Sequence, residues 1–150
     1  MKKYSYEEAL QLLWDKRKVS LLNSAQQWYL ELIHPEDDNL ISNIPTIVRV
    51  QEKTNDKWSW PPNTSDLFKG EFKIIDGKEA EDVVLNENSW QKAFSLLRSG
   101  KKITKTTWPK GQHLINAGDV IHIVLSNGKE IDSEFHPDPS DIAGIWKELE

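Results

Sequence analysis

Between Arg98 and Lys110 the chain carries five basic residues (Arg98, Lys101, Lys102, Lys105 and Lys110) and no acidic one, and Trp108 lies inside that stretch. Ammonium groups neutralise anions, and an indole face can lie against a base or a sugar. The surroundings are acidic: residues 1–75 hold ten basic and eleven acidic side chains, residues 76–150 nine and thirteen, and the net charge is −5 over 150 residues. A local basic stretch in an acidic chain points to a small anion rather than to duplex nucleic acid. A solvated surface is the competing explanation for each of these lysines.

The other reactive side chains narrow the chemistry. Cys is absent, which excludes disulfides and thiolate catalysis. His34, His113, His122 and His136 lack the i, i+4 spacing of a helical metal site, so no metal or cofactor is expected. There is no nucleophile elbow, P-loop or dinucleotide fingerprint. The carboxylate pairs Glu7-Glu8, Asp37-Asp38 and Glu81-Asp82 fall on an expected helix surface, a loop and a linker, where solvation explains them. A non-enzyme is the expectation. Seven Trp stand against one Met. Trp58 and Trp60 are two apart before Pro61-Pro62, so an extended segment would put both on one face. Trp14 and Trp90 read as packing or interface residues, and Trp146 as the seal of a C-terminal core. Asp66 and Asp141 each follow a serine at an expected helix start, where a carboxylate either favours the helix dipole or accepts ligand hydroxyls.

The elements that must position these residues come in two similar sets. Ser5–Glu31 lies over Ser89–Ile115 without a gap, at an offset of 84, with six identities. Thr64–Leu67 then faces Pro139–Ile142 at an offset of 75, so about nine extra residues are expected within His34–Pro45. This reads as a tandem duplication: a first repeat over 1–75, a polar linker over 76–88 and a second repeat over 89–150. Each repeat opens with a helix capped by Ser5 or Ser89, and Gly100 is placed to end the second helix. Strands follow at Lys18–Leu22, Trp28–Ile33 and Thr46–Gln51, and at Lys101–Thr106, His113–Asn116 and Val120–Leu125. Ser126-Asn127-Gly128-Lys129 signals a hairpin into Glu130–Phe135. A Pro-rich elbow then precedes a short helix beginning at Ser65 or Ser140. The fold class expected is α+β, each repeat a helix on a small antiparallel sheet with a short closing helix. No apolar run has membrane length, and the first ten residues lack the apolar core of a signal peptide. A cytoplasmic protein without a membrane partner is expected.

With the repeats aligned, the second resembles the Thoeris anti-defence protein 2 family. The resemblance lies in the helix Trp90–Arg98, the turn Gly100-Lys101-Lys102, Lys105 three before Trp108, and Gly111-Gln112-His113-Leu114. It closes on Pro137, Ser140, Asp141, Ile142, Ala143 and Trp146, while the first repeat keeps Trp60, Pro62, Ser65, Asp66 and Leu67. The resemblance implies a protein that sequesters cyclic nucleotide signals of bacterial anti-phage immunity, notably cyclic ADP-ribose isomers or cyclic oligonucleotides. It also implies several domains around each pocket, hence a homodimer of four domains. Ligand contacts are then expected from Lys105, Trp108, Gln112, Asp141, Trp58, Trp60 and Asp66. The first repeat has Leu21 and Ser24 in place of Lys105 and Trp108, and the second lacks the Trp elbow. One asymmetric pocket combining Lys105 and Trp108 with Trp60 and Asp66 is therefore expected. An enzyme that degrades the signal and a non-catalytic interaction module remain the alternatives.

Overall fold

The computed structural model describes residues 2–22, 28–33, 44–59 and 68–149. The chain divides into two compact units, Met1–Pro61 with Lys69–Val84, and Pro62–Phe68 with Leu85–Glu150. Each is mixed α+β around a five-stranded antiparallel sheet.

In unit 1, helix α1 (Tyr6–Trp14) packs on β1 (Val19–Leu21), β2 (Trp28–Ile33) and β5 (Phe72–Ile74), and the sheet runs β4-β3-β2-β1-β5. Strands β3 and β4 are Thr46–Gln51 and Lys57–Ser59. The Ser5 hydroxyl and the Glu8 carboxylate cap α1 reciprocally, satisfying donors that have no partner inside the helix. The apolar face of α1 (Ala9, Leu10, Leu13) closes a core with Tyr4, Tyr6, Val19, Leu30 and Phe72.

In unit 2, helix α2 (Trp90–Arg98) packs on β6 (Ile103–Lys105), β7 (His113–Asn116) and β10 (Trp146–Glu148). Strands β8 (Ile121–Val124) and β9 (Glu130–Ile131) complete a sheet ordered β10-β6-β7-β8-β9. Ser89 caps α2 alone, with Lys92 where α1 has Glu8, and Gly100 follows the helix at φ +86°, a conformation glycine adopts freely. Trp90, Phe94, Leu97, Ile103, Leu114, Ile121 and Trp146 form the core.

The two registers run in step. Val19 pairs with Leu30 and Ile103 with Leu114, an offset of 84. Leu21 faces Phe72 and Lys105 faces Trp146, so the last strands are offset by 74. The extra length falls in the β2–β3 connection, most of which lies outside the described residues.

Three local expectations change. The helix placed at Ser140 is α3 (Pro139–Ile142), capped by Asp138: proline fits a first helical turn, and the Asp138 carboxylate accepts from the Asp141 N–H at 2.9 Å. The strand placed over Glu130–Phe135 ends at Ile131, because the chain leaves the ladder and returns where Phe135 N–H donates to the Ile121 carbonyl at 2.7 Å. Strands β4, β5 and β10 were not expected; three residues carry too little alternation to register. The helix placed at Ser65 lies outside the described residues.

The stretch 76–88 is tied at both ends. Asp76 accepts from Arg17 Nε and the Lys18 N–H, each at 3.0 Å, and Ala80 N–H donates to the Tyr4 hydroxyl at 2.8 Å. In unit 2 the Asn88 carbonyl accepts from Trp146 N–H at 2.9 Å. Among the described residues no helix is long and apolar enough to cross a membrane.

Candidate functional site

Strand β6 presents Lys105 directly opposite Trp146 on β10, and cross-strand partners share a face. The Lys105 ammonium lies 5.3 Å from the Trp146 ring centroid and forms an ion pair with the Asp141 carboxylate. These two side chains are only 14% and 13% exposed, so water screens the pair little. Trp146 Nε1–H donates to the Asp141 carbonyl at 2.8 Å, which fixes the indole under the lysine. A Cβ on Gly144 would stand 3.2 Å from Lys105 Cε and 3.1 Å from the Ser140 carbonyl, so a glycine there leaves the lysine stem its room.

Asp141 has a structural role in this arrangement. Its other oxygen accepts from the Asp138 N–H at 3.0 Å, completing a second capping box. The Ser140 hydroxyl donates to Asp138 at 2.6 Å. That bond, the Asp141 contacts and the nearby Lys105 charge outweigh partial burial and hold the Asp138 carboxyl below its ordinary value of 3.8.

Trp108 follows β6 in a tight turn, its N–H donating to the Lys105 carbonyl at 3.2 Å. Its half-buried ring meets Trp146 edge-on at 5.3 Å and Phe135 at 6.2 Å. Trp90 joins the same cluster, 5.0 Å from Trp146. Trp108 is thus both a wall of the aromatic core and part of the surface beyond it. That surface is a groove of about 340 Å³, lined by Thr104, Lys105, Trp108, Lys110, Lys147 and Glu148 among others. The volume is at the small end of ligand pockets. Lys105 is neutralised by Asp141, and Glu148 is paired with Lys101 at 3.4 Å. Among the described residues Lys110 and Lys147 have no such partner, so they are the groove's free positive charges.

The structure thus brings Lys105, Trp108 and Asp141 together. Gln112 contributes through its backbone, its carbonyl accepting from the Thr104 hydroxyl at 2.6 Å. Trp58 is in unit 1, on β4. Trp60 and Asp66 lie outside the described residues. Sequence reasoning missed Lys147, whose only signal is its place beside Trp146. Helical spacing also overlooked His122, Glu130 and Asp132, which come from separate segments of the β8–β9 hairpin and put one ligand-type atom each within 4.8 Å of one another. His122 Nδ1 stands 3.2 Å from the Glu130 carboxylate, and this pairing accounts for the approach of those two.

Comparison of the chain with protein-family models, with curated proteins and with solved structures returns no match.

Proposed function

We propose that this protein binds and sequesters a cyclic nucleotide signal of bacterial anti-phage immunity, a cyclic ADP-ribose isomer or a cyclic oligonucleotide, and so inhibits that defence in the cytoplasm of the infected cell. It acts by holding the ligand intact, as a tandem duplication whose chains associate in pairs to give four domains. The matched registers of the two sheets support the duplication. The observation that carries the ligand reading is the unit 2 groove, where two unpaired lysines and a tryptophan ring line one cavity. Lys110 and Lys147 meet the phosphates, Trp108 offers a ring for stacking, and the Lys105–Asp141 pair positions the turn that carries Trp108.

Calorimetry of the full chain against cyclic ADP-ribose isomers, cyclic dinucleotides and cyclic trinucleotides tests the reading, with ligand recovered after heat denaturation. One class is expected to bind and to be released unaltered. Lys110→Ala and Lys147→Ala should each weaken binding about tenfold, with less salt dependence remaining. Absence of binding across the panel, or recovery of an altered ligand, would overturn the proposal. Sedimentation of the same samples reads the pairing of chains.

A further inference from the structure

A second constellation lies in unit 1. Arg49 on β3 stands opposite Leu30 on β2 and Trp58 on β4, and Trp28, two residues before Leu30, shares that face. The guanidinium carbon is 5.4 Å from the centroid of each indole. Arg49 is half-buried and Trp58 is 44% exposed. Among the described residues no carboxylate or carbonyl accepts from Arg49. The rings attract the cation but satisfy none of its five N–H donors, whose planar fork matches a phosphate.

The sheet itself does not call for this trio. Ser20 donates to the Trp28 carbonyl at 2.9 Å as Thr104 donates to that of Gln112, so Gln112 holds the Trp28 position in unit 2. Ile123 holds the Arg49 position, opposite Leu114, and Ile131 holds that of Trp58. The same ladder is built there with a glutamine and two isoleucines. None of the Arg49 nitrogens is fully buried, so the rings hold the cation in place while its N–H donors stay open to an acceptor from solution.

We infer that Trp28, Arg49 and Trp58 form a binding site in unit 1 for a small ligand joining a phosphate to a flat ring, of the nucleoside monophosphate class. The phosphate accepts from the edge of the Arg49 guanidinium, and the ring stacks on the exposed face of Trp58. The net charge of −5 disfavours a long polyanion at the same place. The site is built from unit 1 residues alone and does not depend on the reading of the unit 2 groove.

The test uses the full chain labelled with 5-fluorotryptophan, with the Trp28 and Trp58 resonances assigned by Trp→Phe replacement. AMP, adenosine and inorganic phosphate are titrated separately. AMP should shift both resonances at millimolar concentration or below, and adenosine or phosphate should act at least about tenfold more weakly. Arg49→Gln should weaken the AMP response about tenfold or more. Unmoved Trp28 and Trp58 resonances, an undiminished response in Arg49→Gln, or equal responses to phosphate or adenosine alone would each overturn the inference. If Arg49→Gln fails to fold, Trp58→Ala replaces it: loss of the AMP shift at Trp28 supports the site and its persistence refutes it.

Discussion

Unit 1 and unit 2 build their sheets in the same strand order but place their tryptophans on opposite sides of the problem. In unit 2, Trp90 and Trp146 are 0% and 1% exposed and form the floor on which Lys105 and Trp108 rest. In unit 1 the matching core positions hold the smaller rings Tyr6 and Phe72, each buried, while Trp28 and Trp58 flank a cation on the sheet face. A core of fixed outline can be filled by a two-ring or a one-ring side chain if its neighbours adjust; Phe94 in unit 2 stands where unit 1 has Leu10. Where a smaller ring closes the core, tryptophan is left for the surface.

Replacing tryptophan on each side is the most direct way to break that contrast. Trp90→Ala removes a fully buried ring that touches Phe94, Phe135 and Trp146, and should destabilise unit 2 by about 3–5 kcal/mol. Trp58→Ala should change stability by no more than about 0.5 kcal/mol, since Trp58 is 44% exposed and its ring contact with Arg49 is a surface cation–π pair. Urea unfolding followed by circular dichroism measures both. Equal losses would mean that the unit 1 rings are structural as well.

How far the sequence carried these distinctions depends on the length of the signal. Strands β2, β3 and β7 are legible to the residue, because four to six residues of apolar and β-branched pattern suffice. Helices α1 and α2 are legible from their serine caps and apolar spacing. Strands β5 and β10, three residues each, are held by partners more than thirty positions away. The same non-local pairing hid the relation of Lys105 to Asp141: read along the chain they are two ligand contacts, and in the fold they bond each other across 36 positions. Arg49 gives no sequence signal, since a lone arginine in a strand resembles any solvated one until its neighbours on β2 and β4 are known.

The ion pair supplies the next test. Lys105→Ala leaves the Asp141 carboxylate part-buried with its Asp138 bond alone, and should cost unit 2 about 1–3 kcal/mol. Leu21, at the corresponding position of β1 and opposite Phe72, shows that an apolar residue suits this strand. The double variant Lys105→Leu with Asp141→Asn removes both charges and should regain most of the loss, because a buried pair is worth little beyond its own desolvation. A double variant as unstable as the sum of its parts would show that the two side chains do not couple, and that each supports unit 2 through its other contacts.

The smallest effect separates the units by acid. Asp138 caps α3 in unit 2, and its carboxyl is held below 3.8 chiefly by the Ser140 hydroxyl, with the Asp141 contacts and Lys105 adding to it. A carboxyl whose value is lowered on folding stabilises the native state above its ordinary value, and that contribution fades as pH falls through the lowered one. Unit 2 should therefore lose stability on acidification below about pH 3.8 through this group. Asparagine caps a helix about as well as aspartate, so Asp138→Asn should be nearly neutral at pH 7. It should also flatten the acid limb of unit 2, followed through the fluorescence of its buried Trp90 and Trp146. An unchanged acid limb would place the acid sensitivity elsewhere and leave the α3 cap a matter of geometry alone.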